Sequence, residues 1–233
     1  MRPSSSAMPE AYVSYACTDD AGGEDPAATR ARLREGLSPG FSRRATVLGL
    51  LIGGVLRGAM EQCGGTTVYA SAFGETRTLA DFLDTFPHES PTLFQTSVHP
   101  SAVQQVMIER KLPIREYVPL AGGPCLAARA LAAALLSPGD PVVFCGGEER
   151  GSWMADMGIA SDRSFAFALV LRKDRDASTL ARLRLEALDR DEGAQADGAP
   201  GGMAFPAWFD LLHARRSYDG PVSAEWRLGL EWM

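Results

Sequence analysis

The sequence predicts an α/β fold in which helices cover a mixed β-sheet. Helix-like and strand-like segments alternate between residues 42 and 145. The continuous apolar run over residues 141–145 ends in a glycine pair, which is typical of a central strand buried on both faces. Residues 125–136 are almost entirely Ala and Leu, which is typical of a helix that packs closely against its neighbours. We therefore expect one sheet at the centre of the protein.

Residues 1–40 are expected to form an N-terminal arm outside the core. Ser, Pro, Gly and acidic pairs interrupt this segment, and a single helix is predicted within it, over residues 26–35. A mostly buried helix with a serine cap is predicted over residues 42–62, because its apolar residues recur at near-helical spacing. The β-branched segment 66–71 follows a glycine pair and predicts a buried strand.

The remaining pattern continues the alternation. Helices are predicted over residues 78–85 and 100–110, a loop over 87–94, and strands over 115–120, 165–171 and 181–187, the last two joined by a charged turn.

These segments group into an α/β domain over residues 41–188. Residues 189–202 are rich in Gly, Asp and Ala without apolar periodicity, which predicts a linker or loop. Residues 203–233 contain Trp208, Trp226 and Trp232 and are expected to dock on the body of the protein or on a partner.

Composition excludes several classes of function. The net charge of −6 argues against a general nucleic-acid binder. The apolar stretch over residues 47–56 is far shorter than the roughly 20 residues of a membrane span. No apolar run follows Arg2 as in a secretory signal, so a cytoplasmic location is expected. The four cysteines are widely scattered, which predicts neither a zinc site nor a disulfide framework.

Few residues stand out as candidates for chemistry. His88, His99 and His213 lack the spacing of metal ligands, although His99 precedes a predicted helix and is held as a candidate contact to that helix or to a neighbouring subunit. Glu148 and Glu149 follow a strand, and we interpret them as part of a solvated loop or an interface pair rather than as acid and base.

Cys125 has two interpretations. It begins the Ala/Leu helix, where the helix dipole favours a reactive thiolate, so it is a candidate nucleophile. The preceding Pro124 fits a first helical turn, so a buried structural cysteine explains the pattern as well. Gly122 and Gly123 precede the same helix without the lysine or further glycines of a phosphate-binding loop.

Three segments together resemble a known family. Residues 69–75, 90–99 and 145–149 are similar in order and spacing to the N-terminal half of β-ketoacyl synthases. They most resemble the short β-ketoacyl-synthase-like proteins known as chain length factors of aryl polyene and xanthomonadin-type pigment clusters, and Arg43-Arg44 before a helix fits them too. The resemblance covers about residues 40–172 and implies a thiolase-like fold. Catalytic members of this family use a cysteine at a strand-to-helix elbow and two histidines.

The sequence departs from the catalytic members at the elbow. Counting back from Gly139, which ends the Ala/Leu helix, places the elbow at Gly122 instead of at a cysteine. Cys125 falls about one helical turn further along. Most of the C-terminal half that holds the family's two histidines is missing, and His213 lacks their glycine-rich context. The resemblance therefore implies a subunit that does not catalyse condensation by itself and that needs a catalytic ketosynthase partner.

The function implied is that of a chain length factor in a heterodimeric ketosynthase for type II polyene or fatty-acid-like biosynthesis. Its role is to close and shape the acyl tunnel, with no cofactor of its own, while the partner handles the acyl chain on the phosphopantetheine of a carrier protein. The residues expected to face the partner or its tunnel are Phe94, Ser97, His99, Ala102, Val103, Val106, Met107, Tyr117 and Val118. Two alternatives stay open: an acyltransferase or ketosynthase-type enzyme that uses Cys125, and a structural subunit that binds acyl carrier protein.

Overall fold

A computed structural model describes residues 8–22, 24–34, 36–59, 65–98, 100–113, 115–188 and 202–233. The strands are β1 (Glu10–Gly22), β2 (Thr66–Ser71), β3 (Glu116–Ala121), β4 (Val142–Glu148), β5 (Ser164–Arg172), β6 (Ala181–Ala187), β7 (Tyr218–Pro221) and β8 (Trp226–Trp232). The helices are α1 (Pro26–Arg34), α2 (Pro39–Arg44), α3 (Val47–Leu56), α4 (Thr76–Leu83), α5 (Pro91–Ser97), α6 (Ser101–Arg110), α7 (Leu126–Leu136) and α8 (Phe205–His213).

All eight strands form one mixed sheet in the order β3-β2-β4-β5-β1-β6-β8-β7. Strand β2 is parallel to both β3 and β4, whereas β5 runs antiparallel to β4 and to β1. The predicted α/β architecture with a mixed, helix-covered sheet is therefore confirmed. Within the described ranges, no helix is both long and apolar enough to span a bilayer.

Two apolar layers lie on the two faces of the sheet. Helices α3 and α6 cover one face, where they pack against Tyr69 and Val143. Helices α7 and α8 cover the other face, where Trp208 stacks on Phe144 with ring centroids 6.2 Å apart. Strands β2 and β4 are buried along their whole length, as the apolar run over residues 141–145 predicts. Alternate residues of a strand point to opposite faces, so each central strand serves both layers.

Helix α3 begins later than the sequence predicts. The predicted serine cap at Ser42 lies inside the short helix α2, and Ala45 has extended backbone with ψ 144°. Thr46 caps α3 instead, because its Oγ1 accepts a hydrogen bond from the N–H of Gly49 at 2.9 Å. The predicted end of this helix, at residues 60–62, lies outside the described residues.

The prediction of an N-terminal arm is wrong for residues 10–22. Strand β1 lies inside the sheet, between β5 and β6, and buries Ala11 and Val13 in the core. Its alternation of apolar and polar residues is broken by acidic residues near its end, and this hides it from a search for apolar periodicity. Because β1 intervenes, β5 and β6 are not neighbours, although the sequence suggests two strands joined by a turn.

The C-terminal segment docks on the body of the protein. Strand β8 pairs with β6 along seven residue pairs, and α8 buries Trp208 and Phe209 against the sheet. The preceding segment, for which a linker is predicted over residues 189–202, lies outside the described residues up to residue 201. Half of the loop predicted over residues 87–94 is helical instead, since Ser90 caps the short helix α5 through a hydrogen bond from the N–H of Leu93 at 3.3 Å.

Candidate functional site

Three glutamate side chains meet where β2 and β4 end. Glu75, Glu148 and Glu149 are each only 1% exposed. Because parallel strands end at the same edge of a sheet, the residues that follow β2 lie beside the end of β4. The interpretation of Glu148 and Glu149 as a solvated or interface pair is therefore wrong: both carboxyl groups lie in the interior.

Glu148 fixes the turn between β2 and α4. Its carboxylate accepts hydrogen bonds from the N–H of Ala72, from the N–H of Phe73 at 3.2 Å and from Ser71 Oγ at 3.1 Å. Ser71 Oγ in turn accepts from the N–H of Gly74 at 2.8 Å. These bonds hold the turn so that the ring of Phe73 stays 40% exposed at the surface.

Glu149 and Glu75 join helix N-termini. Glu149 accepts from the N–H of Leu48 in α3 and from the N–H of Arg77 in α4, both at 3.1 Å. Glu75 Oε1 accepts from Ser101 Oγ and from the N–H of Ala102 in α6, both at 2.7 Å. The first N–H groups of a helix have no partner within the helix and carry a partial positive charge, so a carboxylate stabilises them.

Burial raises the pKa of all three carboxyl groups. The pKa of Glu148 rises to about 8 and that of Glu149 to about 7, mainly because the charged form is removed from water. The pKa of Glu75 rises to about 7 for the same reason, although its bonds to Ser101 and Ala102 oppose the rise. Since these groups are buried and bound to the chain's own N–H and hydroxyl groups, their arrangement fits a structural role better than catalysis of a reaction at the surface.

The elbow between β3 and α7 carries glycine. Gly122 and Gly123 have φ values of +57° and +85°, a left-handed conformation that favours glycine. The N–H of Gly122 bonds to the carbonyl of Ser71 at 3.2 Å, and its own carbonyl accepts from the guanidinium of Arg129. Cys125 is the N-cap residue of α7 and is half-buried against the core layer beneath it. The elbow itself therefore presents no side chain.

The described histidines lie on separate elements. His88 is exposed in the connection between α4 and α5. His213 ends α8, where its ring stacks on Phe209 and its Nδ1 lies 3.1 Å from Thr18 Oγ1. His99 lies outside the described residues. Across the described part of the chain, no three His, Cys, Asp or Glu side chains are grouped so that they would hold a metal ion.

The predicted tunnel face of α6 lies in this chain's own core. Ala102 and Val103 are fully buried, and Val106 and Met107 are 3% and 5% exposed in the layer shared with α3. Tyr117 packs against the same layer, with its hydroxyl 3.4 Å from the carbonyl of Pro100. Val118 packs against the opposite layer, beside α7. These side chains are therefore occupied within the subunit.

Phe94, by contrast, belongs to a surface cluster that we call the aromatic patch, made of Phe82, Phe86 and Phe94. The ring centroid of Phe82 lies 5.5 Å from that of Phe86 and 5.4 Å from that of Phe94. Phe86 and Phe94 are more than half exposed, and Ser97 Oγ donates to the carbonyl of Phe94 at 2.8 Å. Sequence analysis missed Phe82 and Phe86, although their spacing of four residues is a helical signal.

Among the described strands, β3 forms one edge of the sheet, and a proline interrupts the row of backbone N–H groups that point away from β2. Because the N–H of Gly122 points toward β2 and neighbouring residues alternate, the N–H groups of Tyr117 and Ala121 point outward. Pro119 lies between them and has no N–H. The free edge therefore lacks a donor at its middle.

The pKa of Glu75 predicts a pH dependence of stability. Between its ordinary value of 4.5 and the folded value of about 7, the folded chain holds a proton that the unfolded chain releases, so this contribution falls as pH rises through that window. Glu75→Gln places an amide N–H₂ where Oε2 has no partner among the described residues and keeps Oε1 as an acceptor. We expect the variant to match the wild type near pH 5 and to be more stable at pH 8 by up to about 3 kcal/mol.

Urea unfolding between pH 5 and 8 measures this effect, with the exposed Glu89→Gln as the matched control. Parallel stability curves for Glu75→Gln and the wild type would contradict the argument, whereas Glu89→Gln is expected to leave the curve unchanged.

No family model matches the sequence, and no curated protein matches it either. Several solved structures match the fold of the chain. A chain of the complex of the ketosynthase ApeO with its chain length factor ApeC from Xenorhabdus doucetiae has a TM-score of 0.65 at 18% identity; 94% of this chain and 98% of that chain are covered. The ishigamide ketosynthase/chain length factor matches with a TM-score of 0.51 at 14% identity, over 80% of this chain and 70% of that chain. The first match extends well beyond the region of sequence resemblance. At these identities the likeness concerns the fold, and the chain has the thiolase-like fold of these ketosynthase complexes.

Proposed function

We propose that this chain is a non-catalytic chain length factor that pairs with a catalytic ketosynthase in type II polyene or fatty-acid-like biosynthesis. The observation that carries the proposal is the elbow after β3, which holds Gly122 and Gly123 where a condensing enzyme needs its nucleophile. The fold over almost the whole chain supports it as well, since the matched chain of the ApeO–ApeC complex is covered to 98% and is therefore of nearly equal length.

The partner would cover the aromatic patch and the free edge of β3. Phe86 and Phe94 are more than half exposed, and both rings contact the half-buried ring of Phe82, so the patch is a surface that water solvates poorly. Leu83 and Val98, which lie next to these helices' ends in the sequence, are exposed as well. Aromatic residues are enriched at protein interfaces because each buries a large apolar area. The turn that Glu148 fixes at the end of β2 exposes a further aromatic side chain, that of Phe73.

In this proposal, the volume that side chains of this chain occupy at the end of the tunnel limits the length of the acyl chain. An extending chain in the partner's tunnel stops where side chains of the second subunit already fill the space at interior density. The buried face of α6 has no free surface for this task, whereas Phe94 is 56% exposed on α5. We therefore assign the terminating role to Phe94. The partner would supply the nucleophile and receive the acyl chain from the carrier protein.

Phe94→Asp should weaken assembly. A carboxylate within an apolar interface is desolvated without a partner, so we expect the affinity for the ketosynthase to fall at least about tenfold. Leu136→Asp is the control, because Leu136 is 63% exposed at the end of α7. Size-exclusion chromatography and native mass spectrometry of the mixed subunits measure the effect. If the complex elutes equally with both variants, the aromatic patch is not part of the interface.

Phe94→Ala should lengthen the product by at least one extension unit, because truncation adds volume at the end of the tunnel. Met107→Ala is the comparison, since Met107 is buried in this chain's core; it should lower stability by about 2–5 kcal/mol and leave product length unchanged. The mass and absorption spectrum of the products distinguish the two. Longer products with Met107→Ala alone would assign the tunnel to α6 instead.

The second candidate function is an acyltransferase that uses Cys125. The N-cap position of this residue on α7 favours it, because its side chain lies at the start of a helix, next to N–H groups that have no partner within that helix. Under the proposed function Cys125→Ser leaves product formation by the complex within about twofold of the wild type. Intact-mass measurement after incubation with acyl-carrier protein provides the second readout. A stoichiometric acyl adduct that Cys125→Ser abolishes would favour the enzyme.

A further inference from the structure

Glu149 holds two helices with two different oxygen atoms. Its Oε2 accepts from the N–H of Leu48 in α3, and its Oε1 accepts from the N–H of Arg77 in α4. An ionised carboxylate offers lone pairs on both oxygens, whereas a neutral carboxyl group carries a hydroxyl on one of them. A proton on Glu149 therefore weakens its bond to one of the two helices. Both bonds stay intact only while Glu149 is ionised.

Glu75, the N-cap residue of α4, uses its two oxygens unequally. Its Oε1 accepts from both Ser101 Oγ and the N–H of Ala102, whereas Oε2 is buried without a hydrogen-bond partner among the described residues. A buried acceptor without a donor is costly, above all when it is charged. A proton on Oε2 removes the charge and breaks none of these bonds. Ser101 also lines a surface groove of about 580 Å³, which brings solvent close to the pair.

Other titratable side chains face the pair from the strands. Burial raises the pKa of Tyr69 on β2 and of Tyr117 on β3, and Cys145 on β4 adds to the rise, so both phenols stay neutral near pH 7. Burial also raises the pKa of Glu148 on β4, to about 8. Both oxygens of Glu148 accept hydrogen bonds, however, so a proton there would weaken at least one of them.

The helices contribute a cation that favours an ionised Glu149. Burial lowers the pKa of Arg30 on α1, and the charges of Arg34 and Arg77 add to the fall, whereas the charge of Glu149 opposes it. Helices α3 and α6 face the pair with N–H and hydroxyl groups. Of the two carboxyl groups, Glu75 is therefore the better site for a proton.

Two ionised carboxylates here would repel each other at the start of α4. Burial raises the pKa of Glu149 to about 7, and the charge of Glu75 adds to the rise. Glu75 precedes α4 directly, and Glu149 binds the first turn of this helix. The same helix carries Phe82, whose ring contacts the other two rings of the aromatic patch. Repulsion at the start of α4 therefore acts on the helix that carries this patch.

We propose that Glu75 and Glu149 form a proton-dependent clamp on the start of α4. In the clamped state Glu75 carries a proton on Oε2 and Glu149 is ionised, so that α3, α4 and α6 all keep their hydrogen bonds. Loss of this proton to water loosens α4 and disturbs the aromatic patch. Under the proposed function, on which this last step rests, the affinity for the ketosynthase then falls as the pH rises above neutrality.

Infrared spectroscopy of the single chain detects the proton directly, because a protonated carboxyl group has a C=O stretch that a carboxylate lacks. Burial raises the pKa of Glu75 to about 7, so the band should be present at pH 6.5 and lost at pH 8.5. Glu75→Gln should lack it at both values. The control is Glu225→Gln, at an exposed glutamate in the β7–β8 connection, which should keep the band. A band that survives unchanged in Glu75→Gln would overturn the proposal.

Hydrogen exchange of the peptide that contains α4 measures the clamp in the single chain. Compared at equal pH, the wild type should exchange as slowly as Glu75→Gln at pH 6.5 and about tenfold faster at pH 8.5. Glu149→Gln should exchange faster at both values, because its amide N–H₂ group faces an N–H donor. Equal exchange of the wild type and Glu75→Gln at pH 8.5 would contradict the clamp, and this comparison decides the test even where Glu149→Gln does not fold.

Titration of the ketosynthase at the same two pH values tests the step that rests on the proposed function. The affinity of the wild type should fall about tenfold from pH 6.5 to 8.5, whereas that of Glu75→Gln should stay within about twofold. An equal fall with both chains would assign the pH dependence to the ketosynthase and refute the link to the aromatic patch. Absence of any complex with the wild type would instead refute the proposed function, and the infrared and exchange results would still decide the clamp.

Discussion

The fold depends on three carboxyl groups that are removed from water at one edge of the sheet. A buried carboxylate is tolerated only when donors surround it. For Glu149 and Glu75 the donors are N–H groups at the start of α3, α4 and α6, and for Glu148 they lie in the turn between β2 and α4. Glu149 alone contacts two of these helices, which belong to different parts of the chain. The need to satisfy Glu75 and Glu149 therefore fixes where three helices begin relative to β2 and β4.

The surface that we propose for assembly follows from this arrangement. Glu149 binds the N–H of Arg77 at the start of α4, and α4 carries Phe82 to the aromatic patch. Glu75 binds the N–H of Ala102 at the start of α6, the helix that follows α5 with its Phe94. The buried carboxyl groups therefore fix the starts of the helices on either side of α5 in the chain, although no glutamate of this cluster belongs to the aromatic patch.

Sequence reasoning succeeded where one physical signal dominates. The apolar run of β4 and the Ala/Leu composition of α7 leave no competing interpretation. It failed where the environment is set by distant segments. Strand β1 is held by β5 and β6, which lie more than 140 residues away, and Glu149 is buried by helices that precede it in the chain. Charge next to a strand end is usually solvated, and only the tertiary structure supplies the N–H groups that reverse this expectation.

Pro119 has a consequence for the chain before it meets any partner. An edge strand with a full row of outward donors is a template on which further copies of the same chain can add, and such addition leads to aggregates. In β3 that row is interrupted at its centre, so two copies meeting edge to edge would both lack the same hydrogen bond. The interruption therefore disfavours the growth of such aggregates. Under the proposed function, a chain made earlier than its ketosynthase, or in excess of it, would be less exposed to aggregation of this kind.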